Sequence, residues 1–240
     1  MGVNTNLTKA KSSKNDEFYT QWIDIEREIQ AYLDFDADIF RGKTIFCSCD
    51  DPEWSNFTKF FALHFCEYGI KKLISTSYAQ ESKLYKADYQ ITLFEKSDPK
   101  FDDTKTLTNG KLFILDRDAG DHNDKIDIDD LKWEYLSGDG DFRSNEVKRL
   151  RDQADIIITN PPFSLFREFI GWILEADKKF LVIGNMNAIT YREIFPLIKD
   201  SKIWLGATGN GNDMVFGVPK GTEVSEEDRR KAARLGYVGD

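Results

Sequence analysis

Apolar residues recur along this chain with two alternating spacings, which together predict an α/β protein. Trp22, Ile25 and Ile29 recur every three or four residues, as on one face of a helix, with Thr20 as the expected N-cap. Short continuous apolar runs between such segments predict strands. The predicted helices are TQWIDIEREIQAYL, SNFTKFFALHFCEYG, SLFREFIGWILEA and TYREIFPLI, and the predicted strands are KTIFCSC, KKLISTSY, LKWEYL, ADIIIT, KKFLVIGN, SKIWLG and DMVFGVP.

The order of these elements predicts a mostly parallel sheet with helices on both faces. Residues 81–136 interrupt the alternation. There, Asn109-Gly110 lies between TKTLT and KLFIL and predicts an inserted β-hairpin with a type I′ turn. The acidic loop that follows, DRDAGDHNDKIDIDD, lacks the glycine and terminal glutamate of a calcium loop, so we predict no metal site.

Composition narrows the class of protein. A chain of 240 residues fits one large α/β domain, and residues 1–17 are polar enough to form a flexible arm. No apolar run is long enough for a membrane span, and three cysteines are too few for a disulfide framework, so a cytoplasmic protein is expected. The net charge of −9 is unfavourable for binding nucleic acid mainly through phosphates. Residues 223–240 predict a charged C-terminal helix.

The segment Asn160-Pro161-Pro162-Phe163 carries the clearest chemistry. It follows ADIIIT, which is apolar on both faces and is therefore expected at the centre of the sheet. Ligands of such sheets bind beyond the carboxyl ends of the strands. The prolines stiffen the turn and offer no N–H, so Asn160 and the backbone present acceptors that suit an amino group, while Phe163 can stack on a planar ring. The alternative is a turn that only ends a strand, with Phe163 in the core.

TNPPF matches the catalytic motif of methyltransferases that act on exocyclic or amide nitrogens. The wider sequence resembles the EcoRI-type adenine-specific DNA methyltransferases over residues 14–220. That resemblance implies a Rossmann-like class I methyltransferase fold over residues 18–222, with S-adenosylmethionine as cofactor. The segments that carry it are KNDEFYTQ, CSCDDPEWSNF, GDGDFRSNEV, ITNPPFSLFREFI, KKFLVIGNMNAITYREIFPLIK and KIWLG.

The resemblance also implies roles for individual residues. Asn160 and the carbonyl of Pro161 would bind the amino group of an adenine flipped out of DNA, and Phe163 would stack on that base. The residues implied at the cofactor are Phe18, Tyr19 and Thr20 at its methionine end, Cys49, Asp50 and Asp51 in place of a glycine-rich loop, and Asp139, Asp141 and Phe142 at its adenine. Thr76 is also expected at the cofactor, at the end of the second strand, where such enzymes usually have a ribose-binding acid. The sequence leaves open whether Asp50 or Asp51 replaces that acid or both only cap the next helix.

These observations predict an adenine-N6 DNA methyltransferase of restriction–modification or phage type. The alternatives are an RNA or protein-amide methyltransferase, and a non-catalytic subunit that binds the cofactor. No Lys/Arg-rich recognition segment is evident, so target recognition is expected from a separate segment or subunit. The basic residues Arg143, Lys148, Arg149 and Arg151 form either a rim for DNA or a solvated helix face.

Overall fold

A computed structural model describes most of the chain outside the N-terminal arm and the central insertion. Predictions on residues 1–17, on Phe18 and on most of the acidic loop lie outside the described residues. Within the described part, no helix is long and apolar enough to cross a membrane. The described residues are 19–53, 55–79, 102, 104–119, 133–207, 215–217 and 224–236.

The described residues form a six-stranded sheet and a separate two-stranded sheet. The strands are β1 (Tyr19–Thr20), β2 (Thr44–Ser48), β3 (Lys72–Thr76), β4 (Lys111–Asp116), β5 (Trp133–Tyr135), β6 (Ile156–Thr159), β7 (Lys179–Val182) and β8 (Phe216–Gly217). The helices are α1 (Trp22–Phe35), α2 (Asn56–Leu63), α3 (Lys105–Thr108), α4 (Asn145–Gln153), α5 (Phe166–Glu175), α6 (Phe195–Lys199) and α7 (Glu226–Arg234).

The large sheet has the strand order β5-β4-β3-β2-β6-β7. Strands β3, β2, β6 and β7 run parallel, whereas β4 and β5 are antiparallel to their neighbours. The prediction of a mostly parallel α/β sheet is therefore confirmed, and the arrangement is that of a Rossmann-like methyltransferase fold. Strand β6 is flanked on both sides, as its apolar sequence predicted.

Helices cover both faces of the sheet because successive strand residues point to opposite sides. Ile45 and Cys47 of β2 pack with α1 and α2, while Phe46 packs on the other face with α4 and α5. Phe60 and Phe61 of α2 and Phe169 of α5 are at most 1% exposed. Burial of each such side chain contributes about 1.5–3 kcal/mol to stability.

The N-cap residues of helices α1 and α2 differ from those expected from the sequence. Helix α1 has Gln21 as its N-cap, without a side-chain bond, so the prediction of Thr20 as N-cap is wrong; Thr20 is in β1. The N-cap of α2 is Ser55, whose side chain accepts from the N–H of Phe57 at 3.1 Å. Asp50 and Asp51 therefore do not cap this helix directly.

The prediction of a hairpin with its turn at Asn109-Gly110 is wrong. Residues Lys105–Thr108 form the short helix α3, and Asn109 has φ −113°, so it cannot occupy a type I′ turn. Strand β4 instead pairs antiparallel with β3 and with β5, the latter in the register Phe113 to Trp133. The inserted antiparallel pair exists, but the dipeptide does not form its turn.

Two predicted strands near the C-terminal end also differ from the structure. Residues 203–206 of SKIWLG form no strand, and Trp204 is 72% exposed. The backbone N–H of Ala207 donates at 3.1 Å to the carboxylate of Glu28 on α1, so this segment lies against a helix instead of a sheet edge. From DMVFGVP, β8 pairs antiparallel with β1 and stays outside the large sheet. An apolar run specifies a strand only where a neighbouring strand is available.

Candidate active site

The carboxyl ends of the parallel strands gather three of the sequence-predicted segments at one edge of the sheet. Residues 49–51 follow β2, Thr76 ends β3, and Asn160-Pro161-Pro162-Phe163 follows β6. Because β2 pairs with both β3 and β6, the three segments are neighbours. Parallel α/β sheets bind their ligands at this edge.

The loop after β6 is partly buried and has a defined shape. Pro161 is buried, and Asn160, Pro162 and Phe163 are half-buried. The carbonyl of Pro162 accepts from the N–H of Leu165 at 3.0 Å, which begins a 3₁₀ turn that leads into α5. That turn uses the one proline carbonyl which the resemblance does not assign to an amino group.

The ring of Phe163 lies beside a second aromatic ring that the sequence did not single out. Phe216 of β8 meets it at 6.0 Å between ring centroids and 79° between planes. Phe163 belongs to neither of the two apolar core clusters found among the described residues, so the alternative of a core phenylalanine is not supported. DMVFGVP was interpreted only as a strand, so its aromatic residue was missed.

Asp50 connects the loop after β2 to the loop after β6. Its side chain is 5% exposed. Carboxylate oxygen Oδ1 accepts from the hydroxyl of Ser55 at 2.7 Å, and Oδ2 makes a short contact with the hydroxyl of Thr159. The backbone N–H of Asn160 also bonds to this carboxylate. Burial raises the pKa of Asp50 to about 7, even though these three hydrogen bonds lower it.

The backbone of Asp50 is fixed as firmly as its side chain. Its N–H donates to the carbonyl of Thr76 at 2.9 Å, and its carbonyl accepts from the hydroxyl of Ser75 at 2.6 Å. The preceding residue, Cys49, has φ +66°, a left-handed conformation that costs a residue with a Cβ about 1–2 kcal/mol. This sharp turn replaces the expected glycine-rich loop and brings Asp50 under the edge of the sheet.

Asp51 and Glu53 occupy the outer side of the same loop. The carboxylate of Asp51 accepts from the N–H of Glu53 at 2.9 Å, within the turn itself. Glu53 pairs with the amine of Lys111, whose side chain is only 7% exposed and lies 4.5 Å from the centre of the Trp133 ring. No sequence pattern indicated this pair, because Lys111 of β4 and Glu53 of the loop are 58 residues apart.

Three hydroxyl groups at the ends of strands fit a polar ligand. Thr20, Ser48 and Thr76 have buried hydroxyl oxygens without a hydrogen-bond partner among the described residues. A buried hydroxyl without a partner costs about 1–3 kcal/mol, so such groups mark places where a ligand or water binds. Thr20 and Thr76 are two of the residues that the sequence assigned to the cofactor, and Asn56 of α2 fixes Thr20 by donating to its carbonyl at 2.8 Å.

The GDGDF segment reaches the same edge beside β3. Gly140 has φ +80°, and a Cβ there would lie 2.1 Å from the carbonyl oxygen of Ser77, so only glycine fits. Asp139 accepts from the N–H of Asp141 at 3.0 Å, and its own carbonyl accepts from Ala79 at 2.6 Å. The segment is thus held against the end of β3, where the cofactor's adenine was expected.

Two residues of this segment have contacts that the sequence did not predict. Burial alone would raise the pKa of Asp141, but hydrogen bonds from the side chain and backbone of Arg143, together with its charge, lower it. Phe142 is 4% exposed, and its ring packs edge-on against Phe169 and Trp172 in the core. Asp141 therefore stays ionised near neutral pH, and Phe142 supports the segment from below.

Comparison with known proteins agrees with this geometry. The profile of the family described as "Adenine-specific methyltransferase EcoRI" matches residues 6–236. The chain belongs to this family. It is 41% identical over 228 residues to the type II methyltransferase M.EcoRI of Escherichia coli. It is 33% identical over 212 residues to the type II methyltransferase M.MpnI of Mycoplasma pneumoniae. No solved structure matches the chain significantly.

The resemblance stated from the sequence is thus confirmed at the level of the family. The two alignments cover 95% and 88% of this chain, but the chain spans only 63% and 53% of the length of these curated relatives.

Two of the four basic residues that the sequence offered as a rim for DNA are already engaged. Arg151 is buried and donates to the carbonyl of Trp172 at 2.8 Å, so it belongs neither to a DNA-binding rim nor to a solvated helix face. Arg143 bonds Asp141 at 2.5 Å and Glu168 at 3.3 Å. Of the four basic residues considered, Lys148 and Arg149 are the ones that remain for an exposed surface.

Proposed function

We propose that this chain is the catalytic part of an adenine-N6 DNA methyltransferase that uses S-adenosylmethionine, of restriction–modification or phage type. The observation that carries the proposal is the position of Asn160-Pro161-Pro162-Phe163 at the carboxyl end of an internal parallel strand. Membership of an adenine-specific methyltransferase family supports it. So does the type II methyltransferase name of the relatives.

The role proposed for Asn160 and Pro161 follows from the chemistry of an exocyclic amine. The lone pair of adenine N6 is delocalised into the ring, which makes the amine a poor nucleophile. Two acceptors, the side-chain oxygen of Asn160 and the carbonyl of Pro161, bind its hydrogens and localise that lone pair. The protein contributes orientation and electrostatic stabilisation, and no strongly basic side chain is required.

The aromatic residues would hold the base in place. A base in duplex DNA reaches such a site only after it is flipped out of the stack. Phe163 offers a face for stacking, worth about 1–3 kcal/mol. Phe216, which meets Phe163 edge-on, closes one side of the apolar corner where the base would lie.

The residues at the strand ends fit the proposed cofactor. S-adenosylmethionine, when bound, supplies the methyl group from a positively charged sulfonium. The unpartnered hydroxyls of Thr20 and Thr76 would bind its polar groups, and the backbone of Cys49 would approach it closely. Asp139 and Asp141 would accept from an adenine amino group, since carboxylates are acceptors when ionised. Asp51, half-buried on the outer side of its turn, is better placed than buried Asp50 to reach a ribose.

A transfer assay with labelled S-adenosylmethionine tests the proposal. The purified chain would be incubated at low salt with plasmid DNA, with RNA and with protein, and the labelled product identified as N6-methyladenine. Asn160→Ala should abolish transfer and leave cofactor binding, measured by calorimetry, intact. The matched control is Gln153→Ala, which removes an exposed amide side chain just before the opposite end of β6.

Each outcome bears on one of the alternatives. Transfer to RNA or protein but not to DNA would overturn the substrate, and cofactor binding without any transfer would favour the non-catalytic subunit. Transfer by Asn160→Ala at nearly the wild-type rate would remove the role of Asn160.

A further inference from the structure

We propose that Asp50 is a positioning residue for the catalytic loop: its carboxyl group holds Thr159 and the backbone of Asn160 in place. The inference rests on the proposed function of that loop. It differs from the cofactor-binding role expected from the sequence, because the polar atoms of Asp50 are directed at other parts of the protein.

The contacts of Asp50 place it between three elements. It bonds Ser55 at the start of α2, Thr159 at the end of β6 and, through the backbone N–H, Asn160. Asn160 precedes Pro161 and Pro162, neither of which has an N–H. The Asn160 N–H is therefore the last backbone donor before the turn, and the carboxylate of Asp50 holds it.

The hydrogen bonds of Thr159 favour one protonation state of Asp50. The hydroxyl oxygen of Thr159 makes short contacts with both the carbonyl of Ser48 and Oδ2 of Asp50. It has one proton, and a carbonyl can only accept. With an ionised Asp50, Thr159 shares its one proton between the two acceptors; with a protonated Asp50, Thr159 donates fully to Ser48 and accepts from Asp50. A neutral Asp50 thus completes a chain that ties β2 to β6.

The surroundings of Asp50 agree with a neutral carboxyl group. Among the described residues, Asp51 on the same loop is the charged group that acts on the pKa of Asp50, and Asp50 in turn raises the pKa of the buried Cys47 thiol on β2. The groups that face it from α2, β3 and β6 are hydroxyls, and Thr58 supports Ser75 by a hydrogen bond of 2.7 Å. No cation among the described residues contributes to the pKa of Asp50, which lies at about 7.

Kinetics separate a positioning residue from a cofactor ligand. A displacement of a catalytic group by about 1 Å can cost about 100-fold in rate, so Asp50→Ala should lower kcat at saturating cofactor by about 10–100-fold. Its dissociation constant for S-adenosylhomocysteine should stay within about threefold of wild type. Asp50→Asn, which mimics the neutral carboxyl group, should restore most of kcat.

Thr159 provides an independent pair of variants. Thr159→Val keeps the shape of the side chain but removes the hydroxyl, and it should lower kcat as Asp50→Ala does. Thr159→Ser retains the hydroxyl and is the matched control, with kcat close to wild type. The double variant Asp50→Ala/Thr159→Val should lose little more than either single variant, because both break one chain of hydrogen bonds.

A measurement that needs no activity follows the bond itself. The Asn160 amide signal in a ¹⁵N NMR spectrum should shift with pH, with a midpoint at about 7, in the wild type and in Thr159→Ser. In Asp50→Asn the shift should be absent. If the wild-type chain transferred no methyl group to DNA, the proposed function would fail, yet this titration would still establish that Asp50 holds the loop.

Two results would overturn the proposal. One is an Asn160 signal that titrates alike in the wild type and in Asp50→Asn. The other is an Asp50→Ala variant that binds S-adenosylhomocysteine at least about tenfold more weakly but keeps kcat at saturating cofactor. If Asp50→Ala fails to fold, Asp50→Asn and Thr159→Val carry the same comparisons.

Discussion

Replacing Asp50 by asparagine should change how the stability of the protein depends on pH. Burial raises the pKa of this carboxyl group from 3.8 to about 7 in the folded protein. Between these values the folded protein binds a proton that the unfolded chain has released. The free energy of unfolding should therefore fall as pH rises through this window, and Asp50→Asn lacks this dependence because its amide does not ionise.

The size of the effect follows from the pKa difference. One pKa unit corresponds to about 1.4 kcal/mol, so the full shift corresponds to about 4 kcal/mol. Over the experimentally convenient range from pH 5 to pH 8, linkage gives about 3 kcal/mol. The difference in unfolding free energy between Asp50→Asn and wild type should therefore rise by that amount from pH 5 to pH 8. This change does not depend on how stable the variant is at pH 5.

Urea denaturation followed by circular dichroism would measure the effect. Unfolding free energies of wild type and Asp50→Asn would be determined at pH 5, 6, 7 and 8, and their difference plotted against pH. Other groups titrate in both proteins and cancel in this difference. Thr159→Ser retains Asp50 and should keep the wild-type slope. A difference that stays constant to within about 0.5 kcal/mol would refute the reasoning, because Asp50 would then have the same charge when folded and unfolded.

Three other predictions test the site and its support. Phe163→Ala should reduce fluorescence from a flipped adenine analogue, Phe163→Trp should retain part of it, and equal signals in wild type and alanine variant would contradict base stacking. Phe142→Ala should cost about 3–5 kcal/mol in urea denaturation, since its ring is buried against two others, and a loss below about 1 kcal/mol would contradict this. Burial raises the pKa of the Cys47 thiol, so Cys47 should resist thiol reagents in the folded protein, whereas half-buried Cys49 should react. Mass spectrometry would distinguish the two residues.

The sequence predicted those features that depend on local pattern. Strands β2, β3, β6 and β7 were evident from apolar runs, and helices α2 and α5 from their spacing. The position of Asn160 at the edge of the sheet followed from the order of these elements. Here a residue's environment is set by its own neighbours along the chain, so periodicity is sufficient to place it.

Features that depend on contacts between distant segments were not predictable. Asp50 and Thr159 are 109 residues apart, and nothing in either segment indicates that one side chain holds the other. Residues 203–206 were predicted to form a strand because they are apolar, but Glu28 on α1 binds the backbone that follows them. Asn109-Gly110 has the composition of a type I′ turn, yet α3 ends there and β4 begins. At residues 203–206 a tertiary contact outweighed a local preference of about 1 kcal/mol.

The loop after β2 shows how this chain does without glycines at a position where a cofactor is expected. A glycine-rich loop would provide left-handed backbone and close approach without side chains. Cys49 takes the left-handed conformation at a cost in strain, and the hydrogen bonds of Asp50 to Thr76, Ser75 and Thr159 hold it there. Because the same carboxyl group bonds the backbone of Asn160, the loop after β2 and the loop after β6 are coupled. The hydrogen bonds that hold the glycine-free loop after β2 thus also make the loop after β6 more rigid.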